Sequence, residues 1–550
     1  MTARKRHVPE SDLDVAMRFK PSLGAPICMA MRRTGSILGL LAMALLTACG
    51  TLPATVDRPV STVFTPSSDS PLVRIAQAST PDPALTGFRL MPVGAYSLDA
   101  RIQLANRARD SLDVQYYLIA NDRTGRLVVR TLRDAALRGV RVRLLVDDLY
   151  TVGADAMFHG LATFPNVEVR LFNPFCCGRG GIASKYLASL PDFGRLNHRM
   201  HNKLFIADGA MAVMGGRNIA DEYFTRSATG NFVDMDILVV GSAVERLAGI
   251  FDAYWNSRQA YPVQSVVQGS GSREEAQRDF DHLVDDGEQM KSLPLSPVDI
   301  LGYGPISEDL DEGRLGLLWG TAVAFADQPE KVTALSAEAA RSMSVQMDIM
   351  DRVSKANGEV VISSPYFVPG PSGARQFVDL GRRHVKVTVL TNSLAATDEP
   401  AVHTGYARYR EELLKAGIDL YELSPTRIRN NERIMLPGSS LGRLHAKAAV
   451  IDQEMVYIGS MNLDPRSDNA NTELGLFARC PELAREVIRV IDISKAKSSY
   501  RVQVAADGQT LQWLATDDAG EVVFSSEPEV TWYMRFKNFF FSPFVPEQLL

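Results

Sequence analysis

One spacing of histidine, lysine and aspartate occurs twice in this 550-residue chain, and the duplication constrains the fold more than any other feature. Both copies read H-x-K-x₄-D: His201, Lys203 and Asp208, then His445, Lys447 and Asp452. A single match to so short a pattern is weak evidence, whereas two matches with similar surroundings are strong. We therefore expect two half-sites that face each other and form one active site for phosphate chemistry.

A turn of small residues that ends in asparagine follows each motif. The turns read Gly-Gly-Arg-Asn at 215–218 and Gly-Ser-Met-Asn at 459–462. Small residues let backbone N–H groups approach a phosphate, and asparagine amides can donate to its oxygens. We predict that Gly216, Asn218, Ser460 and Asn462 bind the substrate.

Helices and strands alternate in the same order before each motif. The predicted elements are 97–109, 112–119, 125–137, 140–146 and 166–172 in the first half, and 345–355, 359–367, 374–382, 385–390 and 417–423 in the second. Short alternation of this kind predicts an α/β fold. We expect two duplicated halves, each a mixed sheet flanked by helices, with the active site at their pseudo-twofold interface.

The motif residues suit transfer at a phosphodiester. In a strand, a histidine and a lysine at positions i and i+2 project from the same face. A neutral imidazole can attack phosphorus and form a phosphohistidine, while a protonated imidazole can donate a proton to the leaving alcohol. The lysines and asparagines then hold the phosphoryl oxygens, so that no metal or cofactor is expected. Asp208 precedes Gly209 at a predicted turn, so we interpret Asp208 and Asp452 as supporting members of the catalytic motif.

Each catalytic imidazole needs a carboxylate that orients its second nitrogen. Superposition of the apolar strands after the motifs pairs Asp236, before Ile-Leu-Val-Val, with Glu473, before Leu-Gly-Leu-Phe. We predict Asp236 and Glu473 as the orienting carboxylates, and Asp234 competes with Asp236 for this role.

Composition narrows the classes of partner. The formal net charge is −5, so the chain has no overall basic field, and we expect no nucleic acid as its partner. The five cysteines show no C-x-x-C pair and no Cys/His spacing typical of a metal site, which implies neither bound metal nor a disulfide framework.

The N-terminal residues have the pattern of a bacterial lipoprotein signal. A basic segment at 31–33 precedes an apolar run at 37–46 and the sequence Leu-Thr-Ala-Cys that ends at Cys49. The run is too short to span a bilayer but suits a signal peptide. We predict a signal region over 1–48, with translation starting near Met29 or Met31, and lipidation of Cys49. Gly50 favours the outer membrane, so the predicted location is the cell envelope, lipid-anchored at the periplasmic face of the outer membrane.

The remaining boundaries follow from composition. We predict a flexible tether over 49–85, the N-terminal half over 86–262, a connector over 263–332, the C-terminal half over 333–495 and a β appendage with an aromatic tail over 496–550. The tail segment 532–541 interleaves aromatic residues with two cations. This pattern suits either a bilayer interface or packing on the core.

Beyond the motifs, several segments resemble the phospholipase D superfamily and, within it, bacterial cardiolipin synthases of the shorter, non-transmembrane type. They include LDVQYYLI, RLNHRMHNKLFIADG, GGRNIADEYF and GSMNLDPRSDNANTELGL. The resemblance implies transfer of a phosphatidyl group between phospholipids, with phosphatidylglycerol, phosphatidylethanolamine or cardiolipin as lipid partners at a membrane surface. It also implies that His201 is the nucleophile and His445 the acid, although the reverse order stays open. The alternatives are a hydrolytic phospholipase D, a nuclease, and a non-catalytic envelope scaffold.

Overall fold

The computed structural model describes residues 52–53, 55–188, 192–269, 271–285, 295–334, 336–431, 440–517 and 520–541. The predicted signal region 1–48 and the predicted lipidation site Cys49 lie outside these residues.

The first half is a mixed sheet in which helices connect three parallel strands. In chain order its strands are β1 (Thr86–Met91), β2 (Ser111–Tyr116), β3 (Arg141–Asp147), β4 (Val167–Phe172), β5 (Leu204–Ala207), β6 (Met211–Gly215), β7 (Asn231–Val233), β8 (Asp236–Gly241) and β9 (Ala260–Pro262). Strands β2, β3 and β4 are parallel, as strand–helix–strand connections require. The remaining pairs are antiparallel and give the order β9-β4-β3-β2-β5-β6-β8-β1.

The second half repeats this topology. Its strands are β10 (Leu318–Ala326), β11 (Glu359–Ser363), β12 (Lys386–Asn392), β13 (Asp419–Leu423), β14 (Gly442–Leu444), β15 (Ala448–Ile451), β16 (Met455–Gly459), β17 (Leu474–Arg479), β18 (Ser499–Val504), β19 (Leu511–Asp517) and β20 (Gly520–Phe524). The order β18-β13-β12-β11-β15-β16-β17-β10 matches that of the first half strand for strand. The prediction of an α/β fold made of duplicated mixed sheets is confirmed.

The sheets of the two halves join edge to edge. Strand β1 pairs antiparallel with β10, where Gly87 lies opposite Trp319. A Cβ atom on Gly87 would come within 2.8 Å of the Trp319 ring, so the junction needs a glycine there. A second link is the parallel pair of β7 and β14, which brings together the segments just before Asp234 and His445.

Helices cover both faces of each sheet. They are Pro71–Ser79, Gly94–Arg107, Arg123–Leu137, Asp155–Leu161, Ile182–Ala188, Phe193–Leu196, Ala243–Trp255, Val263–Val266, Arg273–Val284, Ile306–Glu312, Ala337–Ser342, Gln346–Ser354, Gly370–Arg382, Pro400–Ala407, Arg410–Lys415, Pro425–Arg429, Pro465–Asn469, Pro481–Ser498 and Trp532–Phe541, with 3₁₀ turns at Asp221–Phe224 and Pro329–Thr333. Helices Ala243–Trp255 and Pro481–Ser498 follow equivalent strands, and each contacts the junction strand of the other half.

Buried apolar residues form a layer on the outer face of each half and a shared layer between the halves. The shared layer includes Phe172 and Ile237 from the first half and Leu423 and Leu476 from the second. Because this layer draws on both halves, the interface that holds the motifs is part of the hydrophobic core.

The structure differs from the expected boundaries at two places. The interval expected to be a tether contains the helix Pro71–Ser79, which begins at the N-cap residue Ser70 and buries Leu72 and Val73. The interval 263–332, expected to be a connector, contains β10, which is an integral strand of the second sheet because it pairs with β17. Within 496–550, β18, β19 and β20 form antiparallel hairpins, and β18 also extends the second sheet by pairing with β13.

Candidate active site

The two motifs enter the interface through backbone pairing with the opposite half. The N–H of His201 donates to the carbonyl of Thr472 at 2.9 Å, and the N–H of His445 donates to the carbonyl of Val233 at 2.8 Å. Thr472 directly precedes Glu473, and Val233 directly precedes Asp234. Each histidine therefore lies next to a carboxylate residue of the opposite half. Both residues are nearly buried, with exposed fractions of 7% for His201 and 6% for His445.

The histidines and the carboxylates form two crossed pairs. Nδ1 of His201 lies 2.9 Å from Oε2 of Glu473, and Nδ1 of His445 lies 2.6 Å from Oδ2 of Asp234. Each pair joins a histidine of one half to a carboxylate of the other. Because Nδ1 is held by the carboxylate, Nε2 of each ring is the nitrogen that remains for chemistry.

Asp236, which we predicted as an orienting carboxylate, takes another place in the structure. It accepts hydrogen bonds from Ser97 at 2.6 Å and from Arg101 at 3.0 Å, and all three side chains are buried. The strand registers explain the difference. Asp236 pairs with Gly215, while the equivalent Gly459 pairs with Gly475, so the counterpart of Glu473 is two residues before Asp236. The competing choice, Asp234, is the residue that reaches His445.

The motif lysines lie deep in the same interface. Nζ of Lys203 donates to the carbonyl of His201 at 2.6 Å, and Nζ of Lys447 does the same to His445 at 2.6 Å. Burial, with the added repulsion of Lys447, holds the pKa of Lys203 well below its ordinary value. Burial likewise lowers the pKa of Lys447 to about 8, although Asp234 and Glu473 oppose the change. The mutual repulsion of Lys203 and Lys447 favours the binding of an anionic ligand near them.

The environment keeps both imidazoles neutral in the absence of an anion. Burial, reinforced by Lys203 and Lys447, holds the pKa of His201 well below its ordinary value. Burial and Lys447 lower the pKa of His445 to about 4 against the opposing attraction of Asp234.

The two carboxylates differ in their protonation. Burial alone would raise the pKa of Asp234, but His445 and Lys447 lower it to about 2. Burial raises the pKa of Glu473 to about 7, although Lys203 opposes this change. The two pKa values are thus shifted in opposite directions, and Asp234 is the more readily ionised of the two carboxylates.

The motif aspartates lie at turns at the far end of each motif strand. Both have a left-handed backbone with φ of 51°. Asp208 Oδ1 accepts from the N–H groups of Asp110 and Ser111 at 2.8 and 3.0 Å, and Asp452 Oδ1 accepts from Gly358 at 2.7 Å. These bonds fix the start of β2 and β11 against the motif strands.

The predicted substrate-binding residues line the turns beside the carboxylates. The Ser460 hydroxyl donates to Glu473 at 2.5 Å, while Gly216 is the equivalent position beside Asp234. A Cβ atom on Gly216 would lie 2.1 Å from Asp234 Oδ1, so only glycine leaves room for that carboxylate. Asn218 donates to the Tyr223 hydroxyl at 2.8 Å, and both Asn218 and Asn462 are buried.

Comparison with known proteins identifies the family. The family model described as "Cardiolipin synthase, PLD-like domain" matches residues 102–255 and 349–493, which together make up more than half of the chain. The chain belongs to this phospholipase D-like family. Each matched segment contains one motif, and the predicted membership is confirmed.

Several phospholipase D-like relatives cover most of the chain. The cardiolipin synthase C of Escherichia coli (strain K12) is 36% identical over 80% of this chain and 91% of its own length. A cardiolipin synthase of Staphylococcus aureus (strain Mu50) is 26% identical over 72% of this chain and 64% of its own length. The crystal structure of a phosphatidylserine synthase from Haemophilus influenzae superimposes with a TM-score of 0.53 at 12% identity, covering 87% of this chain and all of that chain. The last similarity supports the fold alone.

Aromatic rings and a buried ion pair complete this phospholipase D-like site, and sequence reasoning did not identify them. Tyr117 packs edge-on against His201 with ring centroids 5.1 Å apart, and Tyr223 packs against His445 at 5.0 Å. Behind Glu473, Asp327 accepts the Glu473 N–H at 3.1 Å and is paired with Lys331 at 2.7 Å. Tyr117 directly follows β2, and residues at the carboxyl end of a central strand often line a site. This position in the sequence could have identified Tyr117 as a site residue.

Among the residues that the structure describes, no three His, Cys, Asp or Glu side chains are grouped so that they could hold a metal ion. Over the same residues, no helix combines the length and hydrophobicity that crossing a membrane requires.

Proposed function

We propose that this phospholipase D-like enzyme moves a phosphatidyl group from one phospholipid to the headgroup of another through a phosphohistidine. The observation that carries the proposal is the crossed pairing of His201 with Glu473 and of His445 with Asp234. It supports one reaction centre with a nucleophile from one half and a proton donor from the other.

The difference between the carboxylates supports the assignment of roles. An ionised Asp234 stabilises a positive charge on His445, as a general acid requires. Glu473, with its pKa raised to about 7 by burial, favours a cationic His201 less, so His201 stays neutral and nucleophilic. When a phosphodiester anion binds beside Lys203 and Lys447, its charge raises the pKa of His445 and lets that ring take up a proton.

The reaction then has two balanced steps. Nε2 of His201 forms a bond to phosphorus, the bond to the leaving alcohol breaks, and His445 gives that oxygen its proton. In the second step neutral His445 takes the proton of the acceptor hydroxyl, whose oxygen attacks phosphorus and releases His201. Lys203 and Lys447 offset the charge that develops on the phosphoryl oxygens.

The proposed substrates are phospholipids, and the acceptor is a lipid headgroup rather than water. The name of the E. coli relative, cardiolipin synthase C, supports cardiolipin as the product. The resemblance of the sequence implies phosphatidylglycerol or phosphatidylethanolamine as the further lipid partners. The near-complete burial of both histidines also favours transfer, because a site closed to bulk water disfavours hydrolysis.

Incubation of the purified full chain with vesicles that contain phosphatidylglycerol tests the proposal. Thin-layer chromatography should show cardiolipin, and recovery of phosphatidic acid alone would replace the transferase by a hydrolase. With a phospholipid radiolabelled in its phosphate, acid-free denaturing gels should show label on the wild-type chain. His201→Ala should abolish that label, whereas His445→Ala should slow its appearance and keep the attachment site. Label that depends on His445 instead would reverse the two roles.

We also propose that Cys49 is lipidated and anchors the enzyme at the periplasmic face of the outer membrane. The signal-like sequence that ends at Cys49 supports this proposal. Metabolic labelling with a radioactive fatty acid should mark the wild-type chain and spare Cys49→Ser. Equal labelling of both proteins would refute the lipidation at Cys49.

A further inference from the structure

The C-terminal helix Trp532–Phe541 presents a continuous aromatic face to solvent. Trp532 is 78% exposed, and Tyr533, Phe536 and Phe540 are also largely exposed. At about 100° per residue, these side chains fall within an arc of about 100° on the helix. Exposed apolar surfaces of this kind mark a site for a partner or a membrane.

The opposite side of this helix is attached to the enzyme. Oδ1 of Asn538 accepts a hydrogen bond from the hydroxyl of Thr404 at 2.6 Å, which ties the helix to Pro400–Ala407. The side of the helix that carries Asn538 thus faces the protein, and the side that carries the four exposed aromatic residues faces outward. Of the two interpretations of the tail sequence, packing on the core therefore does not apply to these four aromatic residues.

The attachment places the aromatic helix next to the active site. Helix Pro400–Ala407 directly follows Asp398 and Glu399. These residues end the loop 393–399, which begins after Asn392 at the end of β12. Asn392 donates to the carbonyl of Leu444 at 2.9 Å and accepts from the Leu444 N–H at 2.8 Å, and Leu444 directly precedes His445. The helix therefore stands beside the loop at the His445 side of the site.

A second apolar element lies at the His201 side. Helix Ile182–Ala188 exposes Ile182 and Leu187, while its Tyr186 packs on Phe175 with ring centroids 5.4 Å apart. Phe175 belongs to the small buried cluster against which Tyr117 packs, and Tyr117 contacts His201. Exposed apolar side chains therefore occur on both sides of the catalytic pair.

We propose that these two elements form a docking rim that seats this side of the enzyme on a phospholipid bilayer. The rim consists of Ile182, Leu187, Trp532, Tyr533, Phe536 and Phe540. Tryptophan and tyrosine favour the bilayer interface, where an aromatic body meets apolar chains and its polar atom meets water. The exposed cation Arg535 on the same helix adds attraction to anionic headgroups. The choice of a bilayer as the partner rests on the proposed function, because the headgroup of a phospholipid substrate lies at the bilayer surface.

Vesicle binding by the full chain tests the rim without relying on catalysis. All proteins carry Cys49→Ser, which removes the proposed acyl anchor, and vesicles contain phosphatidylglycerol and phosphatidylethanolamine. The variant Trp532→Ser/Tyr533→Ser/Phe536→Ser should bind at least about a hundredfold more weakly, because each buried aromatic contributes roughly a factor of ten. The matched control is Val60→Ser, since Val60 is 79% exposed on a different part of the chain and should leave binding unchanged. Equal binding of the triple variant and the control would overturn the rim.

Fluorescence gives a second readout on the unmutated rim. Of the four tryptophans, Trp255 and Trp513 are buried and Trp319 is half-buried, so vesicles with brominated lipids should quench mainly Trp532. Quenching should disappear in Trp532→Phe, and quenching that persists there would contradict the docking geometry.

Activity measurements separate failure of the rim from failure of the proposed function. The triple variant should lose turnover of vesicle lipid and keep turnover of a short-chain phospholipid below its micelle concentration. Vesicle binding that depends on the rim, without product from any phospholipid, would refute the proposed function and leave the rim in place. Unchanged vesicle turnover and binding in the triple variant would refute the rim and leave the function in place.

Discussion

Replacing Asp234 by asparagine tests whether the carboxylate paired with His445 controls proton donation. Asp234 is fully buried and lies 2.6 Å from Nδ1, so the charge-assisted hydrogen bond is close to the strong end of its range, about 3 kcal/mol. Loss of that bond alone should lower kcat roughly a hundredfold. An asparagine amide that donates to Nδ1 would also reverse the tautomer of the ring, an effect that reaches about 10⁴-fold where a buried aspartate orients a catalytic histidine. We expect Asp234→Asn to lower kcat by roughly 10²- to 10⁴-fold while the protein stays folded.

Asp236→Asn is the matched control, because it removes a buried carboxylate two residues away on the same chain segment. Asp236 pairs with Arg101, so its loss should cost about 3–5 kcal/mol of folding free energy by leaving a buried cation unbalanced. The folded fraction should keep its kcat and its pH profile. The assay is steady-state turnover of vesicle lipid across pH, with urea unfolding of both variants. If Asp236→Asn reduced kcat as strongly as Asp234→Asn at equal folded fraction, the assignment of Asp234 would be wrong.

Three further predictions concern the same site. Gly216→Ala should reduce kcat about a hundredfold, because the new Cβ would meet Asp234 Oδ1 at 2.1 Å. Ser460→Ala removes only one hydrogen bond to Glu473 and should reduce kcat about tenfold or less. Steady-state kinetics on both variants measures the difference. Asp208→Asn should lower the free energy of unfolding by about 2–3 kcal/mol, because the amide NH₂ of asparagine can face the backbone N–H donors that now bind the carboxylate. A urea titration should show the loss of stability, and kcat of the folded protein should be unchanged. In the wild type, kcat/KM should fall above about pH 8. The pKa of Lys447 in the folded protein is about 8, and its deprotonation removes a cation from the phosphate site. If kcat/KM of Lys447→Arg fell over the same alkaline pH range, this explanation would be wrong.

The sequence predicted the central strands well because their composition is decisive. The expected strands 140–146 and 166–172 correspond to Arg141–Asp147 and Val167–Phe172, both rich in Val and Leu and bounded by polar residues. Strand Leu318–Ala326 was missed because its Gly and Ala residues carry little β propensity, so its conformation depends on pairing with both sheets. The Ser70-Pro71 pair before Leu72 was a usable signal for the helix Pro71–Ser79, since serine caps and proline begins a helix.

The histidines and lysines of the site were recognisable because a repeated spacing marks them, but the partner of His445 was not. Alternation in a strand has a period of two, so a shift of two residues leaves the pattern of buried positions intact. Asp234 and Asp236 therefore satisfy the same sequence rule. Only the pairing of Gly215 with Asp236, and of Gly459 with Gly475, fixes the register and gives the role to Asp234.

The two half-sites hold their carboxylates with different pairs of residues, and in the proposed mechanism this difference separates the roles of the two histidines. On one side a short carboxylate, Asp234, needs the space that glycine leaves at 216, and it reaches His445 as a fully ionised group. On the other side the longer Glu473 leaves space for Ser460, whose hydroxyl donates to it, and burial keeps its pKa near 7. In the proposed mechanism the less readily ionised Glu473 leaves His201 a neutral nucleophile, while the ionised Asp234 lets His445 accept and return a proton. The departure from symmetry then assigns the two roles to different halves.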